Sequence, residues 1–151
     1  MSPQRSLAAL PGLLTVALLA ACGPGGSVDG PGGSVDGEVD LVPVPAIISF
    51  DPVTFDFCLL VDDGASLEVS VRNQGTGTAS DSPVRVVFFS SGVSPTMTGG
   101  QLDPGDIAKV TFPIPPGCFG ADCVFTILVD PDGVITESNE GNNTAGGKCI
   151  G

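Results

Sequence analysis

An all-β sandwich of immunoglobulin type is the fold this chain predicts, and three observations point to it. From about Ala46 onward, short apolar or alternating runs are separated by turn signals. No window of about 11 residues or more beyond the N-terminal stretch shows helical periodicity. The chain carries 22 Gly and 14 Pro in 151 residues, a composition that works against helix. Six to eight short strands in roughly 100 residues fit two packed sheets.

The strands come in this order. Phe55–Val61 is the first apolar run, and Asp62-Asp63-Gly64 turns it. Ser66–Asn73 alternates, with Leu67, Val69 and Val71 on one face and Glu68, Ser70 and Arg72 on the other. That is the pattern of a half-buried strand, and Asn73-Gln74-Gly75 ends it. Pro83–Phe89 places Val84, Val86 and Phe88 opposite Arg85, which leaves Val87 and Phe89 facing outward. A weak run surrounds Met97, and Asp103-Pro104-Gly105-Asp106 is a strong turn. Ile107–Ile114 sets Ala108, Val110 and Phe112 against Lys109 and Thr111. Val124–Asp130 is the most apolar strand and is expected at the centre of its sheet. Asp130-Pro131-Asp132-Gly133 turns the chain again, and Thr144–Ile150 is the last strand.

Ahead of the sandwich, residues 1–21 read as a secretory signal peptide. Arg5 precedes the apolar stretch Leu7–Ala21, which Pro11-Gly12 interrupts. It falls short of the roughly 20 apolar residues of a membrane span. It closes with Leu19-Ala20-Ala21-Cys22, a quartet that resembles the lipobox of bacterial lipoproteins. The resemblance implies cleavage before Cys22, acylation of that Cys with chains such as palmitate, and stable anchorage, since two lipid signals already hold a protein to a membrane. Gly23 in place of Asp implies passage to the outer membrane where the host is Gram-negative. The plainer alternative is an ordinary secretory signal followed by an unpaired thiol.

Residues 22–45 are expected to form a linker. The heptapeptide PGGSVDG occurs at 24–30 and again at 31–37, and such a composition cannot bury a core. As a coil, a linker of this length spans about 26 Å r.m.s., and up to about 80 Å extended. Residues 46–151 are then the folded domain.

All 17 Asp and Glu lie beyond the signal with four of the five Lys and Arg, giving the cleaved chain a net charge of 4 − 17 = −13. So acidic a surface excludes nucleic acid and anionic lipid as partners. Beyond Cys22 the chain has Cys58, Cys118, Cys123 and Cys149. An even number in an exported chain implies disulfides, with three possible connectivities. The expected pairs are Cys118–Cys123, which brackets a short loop, and Cys58–Cys149, which would join first and last strands. A Cys₄ zinc site is the rival, but Cys58 and Cys149 lack the paired spacing of zinc knuckles.

The segment Val129-Asp130-Pro131-Asp132-Gly133-Val134-Ile135-Thr136-Glu137-Ser138-Asn139-Glu140-Gly141-Asn142-Asn143-Thr144 resembles the C-terminal signature of CARDB domains, the cell-adhesion-related domain of bacteria. Val69-Ser70-Val71-Arg72-Asn73-Gln74-Gly75 resembles the family's V-x-V-x-N-x-G strand end, and Leu102-Asp103-Pro104-Gly105-Asp106 its L-x-x-G-[ED] turn. The likeness covers about residues 56–150. It implies a seven-stranded sandwich without catalytic activity. The four Cys and the absence of Tyr and Trp depart from the pattern.

Physically, Asp130, Glu137, Asn139, Glu140, Asn142 and Asn143 sit where the chain crosses between its last two strands. Such a crossing leaves backbone groups without ladder partners, and Asn, Asp and Glu side chains can satisfy them. A hydrogen-bonded structural corner is the expected role, with no metal and no cofactor. The rival is calcium, held by Asp130, Asp132, Glu137, Asn139 and Glu140 with help from Asp62 and Asp63, although no EF-hand spacing is present. An enzyme is excluded on inventory: the chain has no His and no Ser-Lys or Cys-His pairing in view. The sequence thus points to a lipid-anchored, non-catalytic binding or adhesion module of the cell envelope, whose partner is an envelope protein or polysaccharide. The alternatives are a structural accessory or spacer subunit of an envelope complex, and a calcium-binding surface domain.

Overall fold

The computed structural model describes residues 37–50 and 53–151, with only the backbone described at 47–50 and 53–55. The signal segment, Cys22 and most of the expected linker lie outside the described residues. Ten strands are present among them: β1 Leu41–Val44, β2 Ile47–Phe50, β3 Val53–Asp56, β4 Leu60–Val61, β5 Ser66–Asn73, β6 Pro83–Phe88, β7 Thr96–Thr98, β8 Ile107–Pro113, β9 Cys123–Val129 and β10 Thr144–Cys149. All strand pairings are antiparallel.

β5 is the axis of the first sheet. β8 pairs along its length from Ser66 to Arg72. β1 and β4 share its other edge in tandem, β1 against Ser70–Asn73 and β4 against Ser66 and Leu67. The second sheet runs in the order β10-β9-β6-β7, and β2 and β3 form a separate hairpin. β9 therefore lies inside its sheet, as its apolar run predicts, with its first paired residue at Cys123.

The alternation in sequence becomes the two faces of each sheet. Leu67, Val69 and Val71 of β5 are buried with Val110 and Phe112 of β8, and face Val84, Val86 and Phe88 of β6 and Phe125, Ile127 and Val129 of β9. The Phe88 and Phe125 rings pack tilted, 6.3 Å between centroids. β10 is pressed so closely on this core that a Cβ on Gly147 would fall 2.3 Å from the Phe125 ring. No larger residue fits there without moving an aromatic side chain.

The N-terminal boundary differs from the sequence expectation. Residues 37–45 belong to the sandwich rather than to the linker: β1 pairs with β5, and Val39 forms a parallel bridge with Glu137. Pro43 makes this stretch read as linker, but Pro is tolerated on an edge strand, and β1 is one. The run from Phe55 to Val61 is two pieces, the end of β3 and the short β4. Thus β1 and β2 are additions to the expected strands, and β3 begins ahead of the expected first run.

Both disulfides form as expected. Cys118–Cys123 closes a short loop, with Cα atoms 4.8 Å apart. Cys58–Cys149 spans a sequence separation of 91, with Cα atoms 5.3 Å apart, although Cys58 lies between β3 and β4 rather than on a strand. By loop-closure entropy, replacing both Cys58 and Cys149 with Ser is expected to cost about 4–5 kcal/mol, and replacing the short pair about 2 kcal/mol. Melting of the two double variants checks this; equal losses would contradict it.

Candidate functional site

The corner between β9 and β10 is built from its main chain upward. Asp130 leaves β9 in the left-handed region, at φ 41°, which Asp tolerates better than most residues. It is 4% exposed. Its N–H donates to the Pro83 carbonyl at 2.8 Å, tying the turn to β6. Its carboxylate accepts the N–H groups of Val134 at 3.1 Å and Ile135 at 2.8 Å. Both oxygens thus cap backbone that has no strand partner. Asp132 points out and pairs with Arg85 at 3.2 Å.

Glu137 does the same across a longer distance in sequence. Its carboxylate accepts the N–H of Leu41, at the head of β1, and the Asn143 amide at 2.7 Å. The Glu137 N–H donates to Glu140 Oε1 at 3.1 Å, and Asn139 Oδ1 accepts the Gly141 N–H at 3.1 Å. Ser138 donates its N–H to the Val39 carbonyl at 2.8 Å, and its hydroxyl to the same oxygen at 3.2 Å. Asn142 donates to Asp40 Oδ1 at 2.8 Å. Burial raises the Glu137 carboxyl above its ordinary value, with Glu140 and Asp130 adding to the effect. The Leu41 and Asn143 donors oppose it.

The structure therefore brings Asp130, Glu137, Asn139, Glu140, Asn142 and Asn143 together in one corner. Asp62 and Asp63 are not part of it. They precede β5, at the end where the Ala65 carbonyl accepts from Ile114, whereas the corner meets the far end of β5. Asn143 differs in detail from its expected role. Its buried amide supports the Glu137 carboxylate rather than backbone, while its own carbonyl accepts the Val129 N–H at 2.8 Å. Among the described residues, no three His, Cys, Asp or Glu side chains converge in a way that could hold a metal ion. The Oδ1 atoms of Asn142 and Asn143 are buried without a protein partner.

Sequence reasoning misses the other half of the corner. Glu38, Val39, Asp40 and Leu41 read as linker, yet they supply the carbonyls and N–H groups that Ser138 and Glu137 engage. The available signal was the apolar pattern Val39, Leu41, Val42, Val44 directly after the second repeat.

A second surface lies at the opposite end. Phe89 and Val124 stand on the outward side of the second sheet, 62% and 40% exposed. With Ile150, Gly146 and Lys148 they line an open groove of about 780 Å³ that reaches Asp56 and Cys58. Gly146 has no neighbour within 4 Å of where a Cβ would stand, so the groove floor beside Thr126 is bare backbone. Lys148 is held at 2.8 Å by Asp122, which raises its pKa.

The CARDB family model matches residues 59–146. No curated protein matches the chain. Two solved structures share the fold. One is a domain of a Methanosarcina acetivorans protein assigned provisionally to the cell surface, with TM-score 0.54 and 20% identity, covering 72% of this chain and 90% of that one. The other is the CARDB domain of a Pyrococcus furiosus protein in complex with di-metal ions, with TM-score 0.52 and 23% identity, covering 75% of this chain and 93% of that one.

Replacing Asn143 with Ala removes a donor from a half-buried carboxylate. It is expected to cost about 1–3 kcal/mol, read as a lowered denaturation midpoint; an unchanged midpoint would remove Asn143 from the corner's structural role.

Proposed function

The chain belongs to the CARDB family, and on that footing we propose that it is a non-catalytic binding and adhesion module, held at the cell envelope by lipid on Cys22. The observation that carries the binding role is the outward groove at Phe89, Val124 and Ile150. Exposed aromatic and aliphatic side chains around bare backbone are what a peptide or a sugar ring can cover, and isolated apolar residues need no such arrangement. The Methanosarcina relative's assignment to a cell surface supports the location. The Leu19-Ala20-Ala21-Cys22 quartet supports the anchor, and with it the outer membrane where the host has one. The partner is an envelope protein or polysaccharide.

A photo-crosslinker at position 89 in intact envelopes tests the binding role against one at Thr111, which is outward on the first sheet. Adducts at 89 alone support it. Equal or absent adducts at both positions favour a spacer subunit. Labelled palmitate tests the anchor: Cys22→Ser is expected to abolish incorporation, and a labelled variant would refute the lipid reading.

The second reading, a calcium-binding surface domain, draws on the Pyrococcus relative and its di-metal ions. Here, however, both Asp130 oxygens and both Glu137 oxygens already accept hydrogen bonds. A cation would have to displace those caps. Melting in millimolar calcium and in excess chelator is expected to differ by less than about 3 °C. A shift of roughly 10 °C or more, as for a ligand at 100 times its dissociation constant, would reverse the order of the two readings.

A further inference from the structure

We infer that this domain is a tension clamp with a covalent stop: residues 38–44 resist load in shear, and Cys58–Cys149 limits how far the chain can be drawn once they yield. The inference rests on the adhesion reading only for the source of the load. Its mechanics come from the fold.

The two ends of the sandwich are distinct. At one end lie the head of β1, the tail of β5 and the β9–β10 corner, joined by the Leu41, Glu137 and Asn143 contacts. At the other lie both disulfides, the start of β9 and the end of β10. The chain enters the domain at the first end. Its last residue, Gly151, sits at the second, against the Ala121 and Phe119 carbonyls. A load between these points runs parallel to β1.

Antiparallel ladder bonds stand perpendicular to their strands. Load along β1 therefore strains its bonds together, whereas a sideways pull opens them one at a time. The segment is gripped from both flanks. Toward β5, Gln74 N–H donates to the Asp40 carbonyl at 2.7 Å, and Thr76 and Gly77 donate to the Glu38 carbonyl at 2.7 and 3.0 Å. Toward the corner, Ser138 donates to the Val39 carbonyl, and Leu41 donates to Glu137. Val39 bridges Glu137 in parallel, so sliding β1 out breaks bonds on two sides at once.

Beyond β1, no ladder bond among the described residues ties the chain to either sheet until β4. β2 and β3 pair at four positions and only with each other. The next residue tied to the body of the fold by a covalent bond is Cys58, bridged to Cys149, which lies beside the last residue. From there the load passes through sulfur, and the sandwich between the two Cys is bypassed. The roughly 20 residues from Gly37 to Cys58 can be drawn out to about 70 Å at ~3.4 Å each. Without the bridge, the roughly 115 residues from Gly37 to Gly151 can be drawn out to about 390 Å.

Single-molecule stretching of the full chain tests this. One handle is fixed at the N-terminus and the other at Gly151 or at Pro104, which lies at the same end as β1 in the turn whose Gly105 donates to Asn73. Any extension of residues 1–36 is common to both geometries. The expected first rupture force is several-fold higher with the handle at Gly151 than at Pro104. The oxidised chain held at Gly151 then lengthens by less than about 70 Å, the extended length of the freed segment less the distance it spans when folded, and stops, whereas the Cys58→Ser/Cys149→Ser variant continues toward about 390 Å. Glu137→Ala is expected to lower the first rupture force in the Gly151 geometry. Equal rupture forces in the two geometries, or oxidised extension well beyond 70 Å, would overturn the inference while leaving the crosslinking result at position 89 to stand or fall alone.

Discussion

The fully buried amide of Asn73 is the constraint on which one end of the sandwich depends. A buried Asn must use its two donors and its acceptor or lose several kcal/mol. Here its Nδ2 donates to the Gly77 carbonyl at 2.7 Å and the Leu102 carbonyl at 3.0 Å, and its Oδ1 accepts from Gly75 at 3.0 Å and Asp40 at 3.4 Å. Three separate stretches of chain, at Asp40, Gly75–Gly77 and Leu102, meet on one side chain. Its backbone adds Asp106 and Gly105, which fixes where β8 begins. Gly75 is bound to the same geometry, since a Cβ there would lie 2.2 Å from the Glu38 carbonyl. The V-x-V-x-N-x-G signature is therefore a packing requirement: the Asn collects the segments, and the Gly lets residues 38–40 lie against them.

The corner continues this logic with charged acceptors. Asp130 and Glu137 are placed where backbone N–H groups of Val134, Ile135 and Leu41 have no strand to pair with. A carboxylate makes a stronger acceptor than a neutral oxygen, and that compensates for the proximity of Glu140. Three of the four cations beyond Gly37 are spent elsewhere, on Asp132, Glu68 and Asp122. These exposed pairs contribute little stability each. The acids of the corner are thus held by hydrogen bonds and not by counter-charges, which is why a domain this acidic can fold around them.

Much of this was legible in the residues. The alternation in Ser66–Asn73, Pro83–Phe88 and Ile107–Pro113 specified which faces are buried, because one face of each sheet meets the core and a one-residue slip would invert it. The outward placement of Val87 and Phe89 comes from the same period. The disulfide pairing was legible, although Cys58 lies between β3 and β4 and reaches Cys149 of β10 without a shared strand pair. The start of the domain was not legible. β1 contains a Pro and carries four residues, and it and the preceding Asp40 donate N–H groups to side-chain acceptors 96 and 33 positions away in sequence, at Glu137 and Asn73. The apolar run Val39, Leu41, Val42, Val44 hinted at a strand, but no local pattern names a buried amide and a distant carboxylate as its partners. For the same reason the corner residues could be named as caps, but what they cap could not.

The two ends of the sandwich solve the same problem with different chemistry. A core of this size leaves the terminal strands marginal, so both need fastening. At the β10 end the fastening is covalent and cannot re-form by itself once reduced. At the β1 end it consists of hydrogen bonds, each worth about 1 kcal/mol net but collectively dependent on one another through Asn73 and Glu137. Such a network opens as a unit and closes as a unit, because its buried partners are costly to leave unpaired. The entering segment is therefore held by bonds that break and re-form, while Cys58–Cys149 holds the opposite end closed. The reversible fastening stands on the side where the chain enters, and the permanent one on the side of the apolar groove, where Cys58 is itself part of the lining.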